Sequence, residues 1–112
     1  MSDYIQTALV TGAGNGIGRA TAIALAKSGR KVSCADIKMD DAQRTADAIK
    51  QQGGTAHAVS ADVGSNSEIE AMIKETLSAC GSLDIIVNNA GITRAAYIMD
   101  LTEEDWDRIH RV

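Results

Sequence analysis

Residues 11–18 (TGAGNGIG) place four glycines in eight positions, directly after a short apolar run. Glycine adopts positive φ without strain and lets two backbone segments approach closely, so this pattern predicts a tight turn from a strand into a helix. The free N–H groups at the start of such a helix can hold phosphate groups, assisted by the helix dipole. The spacing is G-x-x-x-G-x-G with one extra glycine, not the strict G-x-G-x-x-G fingerprint, so a turn that binds no ligand is the alternative.

Short apolar runs alternate with segments of helical period along the rest of the chain. Four runs predict buried strands, at residues 8–10, 32–35, 56–59 and 85–87. Between them, apolar residues recur at helical spacing, as in the series Ala42, Thr45, Ala46 and Ile49. Alternating strands and helices of this length form a parallel sheet with right-handed crossovers. The predicted fold is α/β: a Rossmann-type doubly wound parallel sheet of about four strands, with helices on both faces and the start of a fourth helix.

Local signals predict where the helices begin and how the first one packs. Three pairs resemble a capping box, in which a side chain at the helix start and one three residues later bond the free N–H groups. The small residues at positions 16, 20 and 24 predict a smooth helix face that lies against the first strand. The three pairs are Asp40 with Gln43, Ser65 with Glu68, and Thr102 with Asp105.

Length and charge exclude several classes of function. With 112 residues the chain has room for one domain, which we place at residues 1–112. The net charge of −4 provides no basic patch for nucleic acid or for an anionic membrane surface. The apolar runs are much shorter than the roughly 20 residues of a membrane span, and residues 1–4 do not resemble a signal peptide. We therefore expect a cytoplasmic protein.

The cysteines and histidines do not form a recognisable reactive or metal-binding motif. Cys34 and Cys80 lie far apart without a CxxC pattern, which predicts two reduced, buried thiols and no metal site. His57 falls within a predicted strand and His110 on the last helix. The sequence places no acid or nucleophile beside either histidine, so we expect both to be structural.

An acid follows the glycines at the distance that a dinucleotide site requires. Asp36 lies 18 residues after Gly18, at the end of the second predicted strand. Dinucleotide-binding folds carry an acid about 20 residues on, which accepts hydrogen bonds from the adenosine ribose hydroxyls. The same charge opposes a 2′-phosphate, and Asn15 stands where a basic side chain could meet that phosphate, so NAD is favoured over NADP. Arg19 and Lys38 are nearby cations that argue for NADP, and a solvated strand-end carboxylate is the alternative for Asp36.

Polar residues also end the third and fourth predicted strands. Asp62 and Val63 close the third strand, and residues 88–91 (NNAG) close the fourth. Taken singly, the aspartate is typical of a helix cap and the NNAG run of a turn. In a doubly wound sheet, however, ligands bind outside the carboxyl ends of the strands, so one extended ligand could contact all four ends.

These features together resemble the short-chain dehydrogenases and reductases, over essentially all 112 residues. The loop at 11–18, Asp36, the Asp62-Val63 pair and the NNAG run stand at matching strand ends in the family order. The resemblance is to the N-terminal, cofactor-binding half of enzymes of the 3-oxoacyl reductase or secondary-alcohol dehydrogenase type. It implies transfer of hydride between a nicotinamide cofactor and a small-molecule alcohol or ketone.

The resemblance also implies a set of cofactor-binding residues. Five would surround the pyrophosphate and the adenosine ribose: Gly12, Asn15, Gly16, Ile17 and Gly18. Asp36 would hold the ribose hydroxyls, and Asp62 and Val63 would border the adenine. Along the route to the nicotinamide ribose would lie Asn89, Ala90 and Gly91, while Asn88 would brace the sheet.

The catalytic residues of that family have no counterpart here. The family uses a Tyr-x-x-x-Lys motif with a Ser and an Asn, whereas Tyr4 is followed four places on by Ala8 and Tyr97 by Leu101. We therefore expect an oxidoreductase fragment that binds cofactor without catalysis, in which the C-terminal half of the family fold is absent and the edge of the fourth strand is unpaired. A non-catalytic nucleotide-binding module and a structural α/β domain are the alternatives. The resemblance further implies a homo-oligomer.

Overall fold

The four apolar runs form strands, and the segments of helical period between them form helices. The computed structural model describes residues 4–89 and the backbone of residues 97–101. Within these residues all four predicted strands and the three complete predicted helices are confirmed. In chain order the elements are β1 Thr7–Thr11, α1 Gly16–Lys27, β2 Lys31–Asp36, α2 Met39–Gln51, β3 Ala56–Ser60, α3 Asn66–Cys80, β4 Leu83–Asn88 and β5 Tyr97–Leu101.

The strands form one sheet in the order β3-β2-β1-β4-β5. The first four are parallel, and Val10 of β1 pairs with Cys34 of β2 on one side and with Val87 of β4 on the other. The fifth strand runs antiparallel to β4, with Ile85 opposite Ile98. The predicted parallel sheet of about four strands is therefore confirmed, whereas the expectation of an unpaired edge at β4 is wrong, because β5 pairs with that edge. The run at 97–101 is apolar enough to pair with that edge, which removes exposed N–H and C=O groups.

The core lies in two layers, one on each face of the sheet. Successive strand residues point to opposite faces, so Leu9 and Val10, both fully buried, belong to different layers. The layer under α1 and α2 is built mainly from small side chains: Val10, Ala13, Ala22, Val32, Cys34, Ala42, Ala46, Ile49 and Ala58. The layer under α3 contains Leu9, Ala35, Val59, Ala61, Met72, Ile73, Leu77, Leu83 and Ile86. Helices thus cover both faces, as the alternating pattern predicts.

Helix α1 packs through the opposite side from the one predicted. Gly18 and Ala22 are its buried residues, whereas Gly16, Ala20 and Ala24 are exposed. The two sets differ by two positions, which is about 200° around a helix with 3.6 residues per turn. The helix takes this orientation because its closest approach to the loop is at Gly18, where there is no space for a side chain.

Neither of the two capping boxes predicted within residues 4–89 forms. Helix α2 begins at Met39 with Lys38 as its N-cap residue, so Asp40 lies inside the first turn rather than at the cap. Ser65 does occupy the N-cap of α3, but its side chain makes no capping hydrogen bond. Glu68 instead accepts a hydrogen bond from the backbone N–H of Asp62, at 2.9 Å. The third pair lies outside the described residues.

The two thiols are buried as predicted, and one histidine has an acidic partner that the sequence does not show. Cys34 and Cys80 are both free and buried, and burial raises the pKa of the Cys34 thiol to about 12. His57 lies in β3, but Nε2 of its ring is 2.7 Å from a carboxylate oxygen of Glu75 on α3. The sequence does not show this partner, because it is the packing of α3 against β3 that brings Glu75 beside His57; the structural role expected for His57 stays a prediction. His110 lies outside the described residues.

The described part of the chain contains no helix that is both long and apolar enough to cross a membrane. Within the same residues, no group of three or more His, Cys, Asp or Glu side chains could hold a metal ion.

Candidate cofactor-binding site

The glycine loop turns sharply between β1 and α1 at two residues with positive φ. These are Gly12, with φ of 62°, and Gly16, with φ of 56°. Gly18 is required for a different reason: a Cβ there would lie 2.0 Å from the carbonyl oxygen of Gly12. A Cβ at Gly16 would meet nothing within 4 Å. The loop is thus closed on its inner side and open on its outer side.

Two hydrogen bonds fix the middle of the loop to the rest of the fold. The N–H of Ala13 donates to the carbonyl oxygen of Ala35 in β2, at 2.9 Å. The hydroxyl of Thr45 in α2 donates to the carbonyl oxygen of Ala13, also at 2.9 Å. Thr45 is fully buried. Sequence reasoning assigned it only to the apolar stripe of α2, although a Thr among alanines at a buried position is itself a signal for a hydrogen bond.

The Asp36 carboxylate is held at the end of β2 by two backbone donors. The N–H of Gly14 donates to Oδ2 at 3.0 Å, and the N–H of Lys38 donates to Oδ1 at 3.2 Å. The side chain is therefore fixed in direction and not freely solvated. Each carboxylate oxygen has two lone pairs, so both can accept a further hydrogen bond from a ligand hydroxyl.

A cleft of about 190 Å³ opens beside Asp36, at the carboxyl ends of β1, β2 and β3. Ligand sites usually measure roughly 300–1,000 Å³, so this cleft suits one part of a larger ligand. It brings together four of the residues predicted from the sequence: Gly12, Asp36, Asp62 and Val63. The complete lining is Thr11, Gly12, Ala35, Asp36, Ile37, Ala61, Asp62 and Val63.

Two apolar side chains give the cleft walls that a flat ring can contact. Val63 packs against the core layer under α3. Ile37 is 63% exposed although it is a large apolar residue. Sequence reasoning missed Ile37, and the available signal was an apolar residue directly after the acid at a strand end. Between these two, Asp62 accepts a hydrogen bond from the N–H of Gly64 at 2.9 Å, which fixes its carboxylate at the rim.

The end of β4 is tied to the end of β1 through one hydroxyl. Thr11 Oγ1 donates to Asn88 Oδ1 at 2.9 Å and accepts from the N–H of Asn89 at 3.0 Å. Asn88 thus links the two strands, as its predicted bracing role requires. The side-chain nitrogen of Asn89 is buried and has no hydrogen-bond partner in the described part of the chain. Ala90 and Gly91 lie outside the described residues.

The remaining predicted residues stand at the outer side of the loop. Asn15, Gly16 and Ile17 are exposed, and Ile17 is 79% exposed. Gly18 is buried beneath them. Ile17 and Asn15 therefore do not line the cleft itself but flank its approach at the start of α1.

The residues present fit a nicotinamide dinucleotide. The open space at Gly16 and the first turn of α1 could take the pyrophosphate, because free N–H groups at a helix start bind anions. The cleft has a fixed carboxylate for ribose hydroxyls and apolar walls for a flat ring. The amide nitrogen of Asn89, which has no partner among the residues that the structure describes, is a donor that a ligand at the end of β4 could satisfy.

Comparisons with known proteins agree with this geometry. The family model described as short chain dehydrogenase matches residues 6–112. The chain is 44% identical over 106 residues to the 3-oxoacyl-(acyl-carrier-protein) reductase FabG of Staphylococcus aureus, which covers 93% of this chain and 43% of that protein. The chain therefore spans less than half the length of this relative.

Two solved structures extend the comparison to three dimensions. A 7α-hydroxysteroid dehydrogenase complexed with NADH and 7-oxo glycochenodeoxycholic acid has a TM-score of 0.76 at 42% identity, over 78% of this chain and 34% of that one. A metagenomic short-chain oxidoreductase in complex with NADP has a TM-score of 0.73 at 34% identity, over 78% of this chain and 39% of that one. With the family model that matches residues 6–112, these similarities establish that the chain belongs to the short-chain dehydrogenase family.

Proposed function

We propose that this chain is the cofactor-binding part of an oxidoreductase that interconverts an alcohol and a ketone with NAD. The observation that carries the proposal is the Asp36 carboxylate, held by the N–H groups of Gly14 and Lys38 at the mouth of the cleft. In that position it can accept the hydrogen bonds of both ribose hydroxyls. Bound nicotinamide would supply or accept the hydride.

The charge at the ribose site supports NAD over NADP. A 2′-phosphate carries about two negative charges at neutral pH. The 2′-phosphate would have to lie beside Asp36, whose negative charge repels it. Asn15, which stands where a basic side chain could offset that repulsion, is uncharged. One similar protein is described with NADH and another with NADP, so membership of the family does not decide between the two cofactors. The local charges favour NAD.

Each cofactor residue would have a distinct role. Gly12, Gly16, Ile17, Gly18 and Asn15 would surround the pyrophosphate and its adjoining ribose, while Asp62 and Val63 would border the adenine. Asn89 would offer its side-chain amide nitrogen toward the nicotinamide ribose, on a route shared with Ala90 and Gly91. No catalytic residue is assigned, because the Tyr-x-x-x-Lys pattern does not occur in the 112 residues.

The ketone class rests on the named relatives. The curated relative is a 3-oxoacyl reductase, and the steroid dehydrogenase is complexed with 7-oxo glycochenodeoxycholic acid. Both names specify an oxo group, so an alcohol and ketone pair is the shared chemistry. A homo-oligomer in the cytoplasm is part of the same proposal.

Isothermal titration calorimetry of the full chain with NAD and NADP tests the cofactor assignment. We expect NAD to bind at least about tenfold more tightly than NADP, a difference of about 1.4 kcal/mol, which is roughly one hydrogen bond to a charged group. Asp36→Ala is expected to weaken the binding of NAD and to reduce the difference in affinity between NAD and NADP. The control is Asp47→Asn, on the exposed side of α2, where Asp47 accepts a hydrogen bond from Gln43. It removes the same charge away from the site and should change neither the affinity for NAD nor its difference from that for NADP. A folded sample that binds neither dinucleotide, or that prefers NADP, would overturn the assignment.

A further inference from the structure

We propose that Asp41 contributes to cofactor choice by holding the guanidinium of Arg44, which would otherwise accept the 2′-phosphate of NADP. The inference deepens the proposed function and rests on it, because it requires the adenosine ribose to lie at Asp36. Asp41 is a specificity-determining residue in this scheme and acts through Arg44.

The Asp41 carboxylate joins the glycine loop to a cation on α2. Its Oδ2 accepts a hydrogen bond from the side-chain amide of Asn15, at 3.3 Å. Its Oδ1 forms an ion pair with Arg44 one helical turn further on. The side chain of Asp41 is 15% exposed, whereas that of Arg44 is 64% exposed. One mostly buried carboxylate therefore anchors a mostly exposed guanidinium beside the loop.

The backbone at Gly14 shows that Asp36 and Asp41 lie next to the same point of the loop. A Cβ at position 14 would stand 2.4 Å from Cβ of Asp41 and 2.9 Å from Oδ2 of Asp36. Gly14 does not have positive φ, so its lack of a side chain serves this close approach and not the turn. The first turn of α2 consequently forms the side of the ribose site, and Arg44 is carried on that helix.

The chemistry of the pair explains how it affects a phosphate. A guanidinium binds phosphate through two parallel N–H donors, which makes Arg the preferred residue for such groups. While Arg44 is paired with Asp41, its charge is offset and some of its donors are occupied. Asp41 also adds its own repulsion to that of Asp36. Removing the charge of Asp41 would thus lower the repulsion on a 2′-phosphate and would also free the Arg44 guanidinium to bind it.

The test uses ADP-ribose and 2′-phospho-ADP-ribose, which contain the adenosine half of each cofactor. Their dissociation constants are measured by calorimetry on the full chain, for wild type, Asp41→Asn, Arg44→Ala and the double variant. Asp41→Asn is expected to tighten binding of the 2′-phosphorylated ligand about tenfold, as one unit of charge near a phosphate does at a protein surface. Binding of ADP-ribose should stay within about twofold, since the charge change acts on the extra phosphate. The double variant, which lacks Arg44, should lose most of this increase in affinity for 2′-phospho-ADP-ribose.

Two controls separate this effect from a general change of charge or of fold. Asp40→Asn removes the same charge from the same helical turn at an exposed position and should leave the ratio of the two dissociation constants unchanged. If Asp41 had only a structural role, Asp41→Asn would weaken the binding of both ligands equally and would not alter the ratio of their dissociation constants. Should Asp41→Asn fail to fold, Arg44→Ala alone still tests the idea. Without Arg44 the charge of Asp41 is no longer offset, so the affinity for 2′-phospho-ADP-ribose should fall several-fold.

Failure of this inference can be told apart from failure of the proposed function. If wild type binds ADP-ribose and Asp41→Asn leaves the ratio as it was, the role of Asp41 is refuted and the proposed function stands. A gain that persists in the double variant would refute the release of Arg44. If a folded wild type binds neither ligand, the proposed function itself is refuted, and this inference with it.

Discussion

Gly18 lies against the carbonyl oxygen of Gly12, close enough that a Cβ at position 18 would be 2.0 Å from it. This contact sets where α1 starts relative to β1, and therefore the direction in which the first-turn N–H groups point. It also determines which face of α1 is buried. The glycine at position 18 serves packing, whereas the glycine at position 16 serves backbone conformation.

Substituting these two glycines should separate the two effects. Gly18→Ala is expected to destabilise the fold by about 3 kcal/mol, because the new methyl group collides with backbone that cannot rotate away. Gly16→Ala should cost only about 1 kcal/mol, the strain of positive φ in open space. Urea unfolding followed by circular dichroism measures both. Equal losses for the two variants would contradict this account of the loop.

The hydroxyl of Thr45 should contribute more to stability and to NAD affinity than its buried methyl group. Thr45→Val keeps the volume but leaves the carbonyl of Ala13 without its donor, which should cost about 1–3 kcal/mol. The loop would also lose its attachment to α2, so NAD affinity should fall as well. Thr45→Ser retains the hydroxyl and is the matched control. The prediction fails if the serine variant loses as much NAD affinity as the valine variant.

The sequence predicts the elements of this fold well because they follow from apolar periodicity. It also indicates Gly18 and Asp36 as candidate site residues, since close packing of the helix against the loop requires a glycine and a ribose site requires an acid at the strand end. Thr45 was not predicted as a loop contact, because its partner lies 32 residues away and depends on how α2 lies on the sheet. The contact between Gly14 and Asp41 is hidden for the same reason. Strand β5 was missed because pairing with an edge requires only a short apolar run, which has no period of its own.

Asp84 anchors the opposite end of the sheet and should be one of the costliest residues to remove. Its side chain is buried; Oδ2 accepts the backbone N–H of Thr7 at 2.8 Å, and Oδ1 accepts the hydroxyl of Tyr4. Asp84→Ala would leave the Thr7 N–H without its acceptor and is expected to cost about 3 kcal/mol. Tyr4→Phe, which removes one donor from a residue that is largely exposed, should cost about 1 kcal/mol. Chemical denaturation gives both values, and a loss in Asp84→Ala no larger than in Tyr4→Phe would refute the anchoring role.

The buried thiol of Cys34 predicts a pH dependence on the alkaline side. Burial raises its pKa from 9.0 to about 12, so the folded state keeps its proton where the unfolded state has released it. Stability is therefore full below pH 9 and falls as the pH rises toward 12. Cys34→Ala should flatten this fall relative to wild type when thermal unfolding is followed across that range. Parallel curves for the two proteins would show that Cys34 does not titrate on unfolding.

Catalysis provides a separate check on the division between binding and chemistry. The 112-residue chain is expected to show no turnover of a secondary alcohol with NAD, because it has no Tyr-x-x-x-Lys pattern to move the proton. Absorbance of reduced nicotinamide monitors the reaction. Turnover that tracks the purified chain would mean that another residue supplies the proton.

The order of the strands has a consequence for how the site assembles during synthesis. Among the residues that the structure describes, those lining the cleft all fall between Thr11 and Val63, and its three strands are neighbours both in the chain and in the sheet. Contacts between such neighbours close short loops and form quickly. The link from Thr11 to Asn88 spans 77 residues and must wait until β4 has left the ribosome. The cleft at Asp36, where we propose that the adenosine binds, thus rests on contacts that form early, whereas the end of β4, which we propose faces the nicotinamide, rests on a contact that forms later.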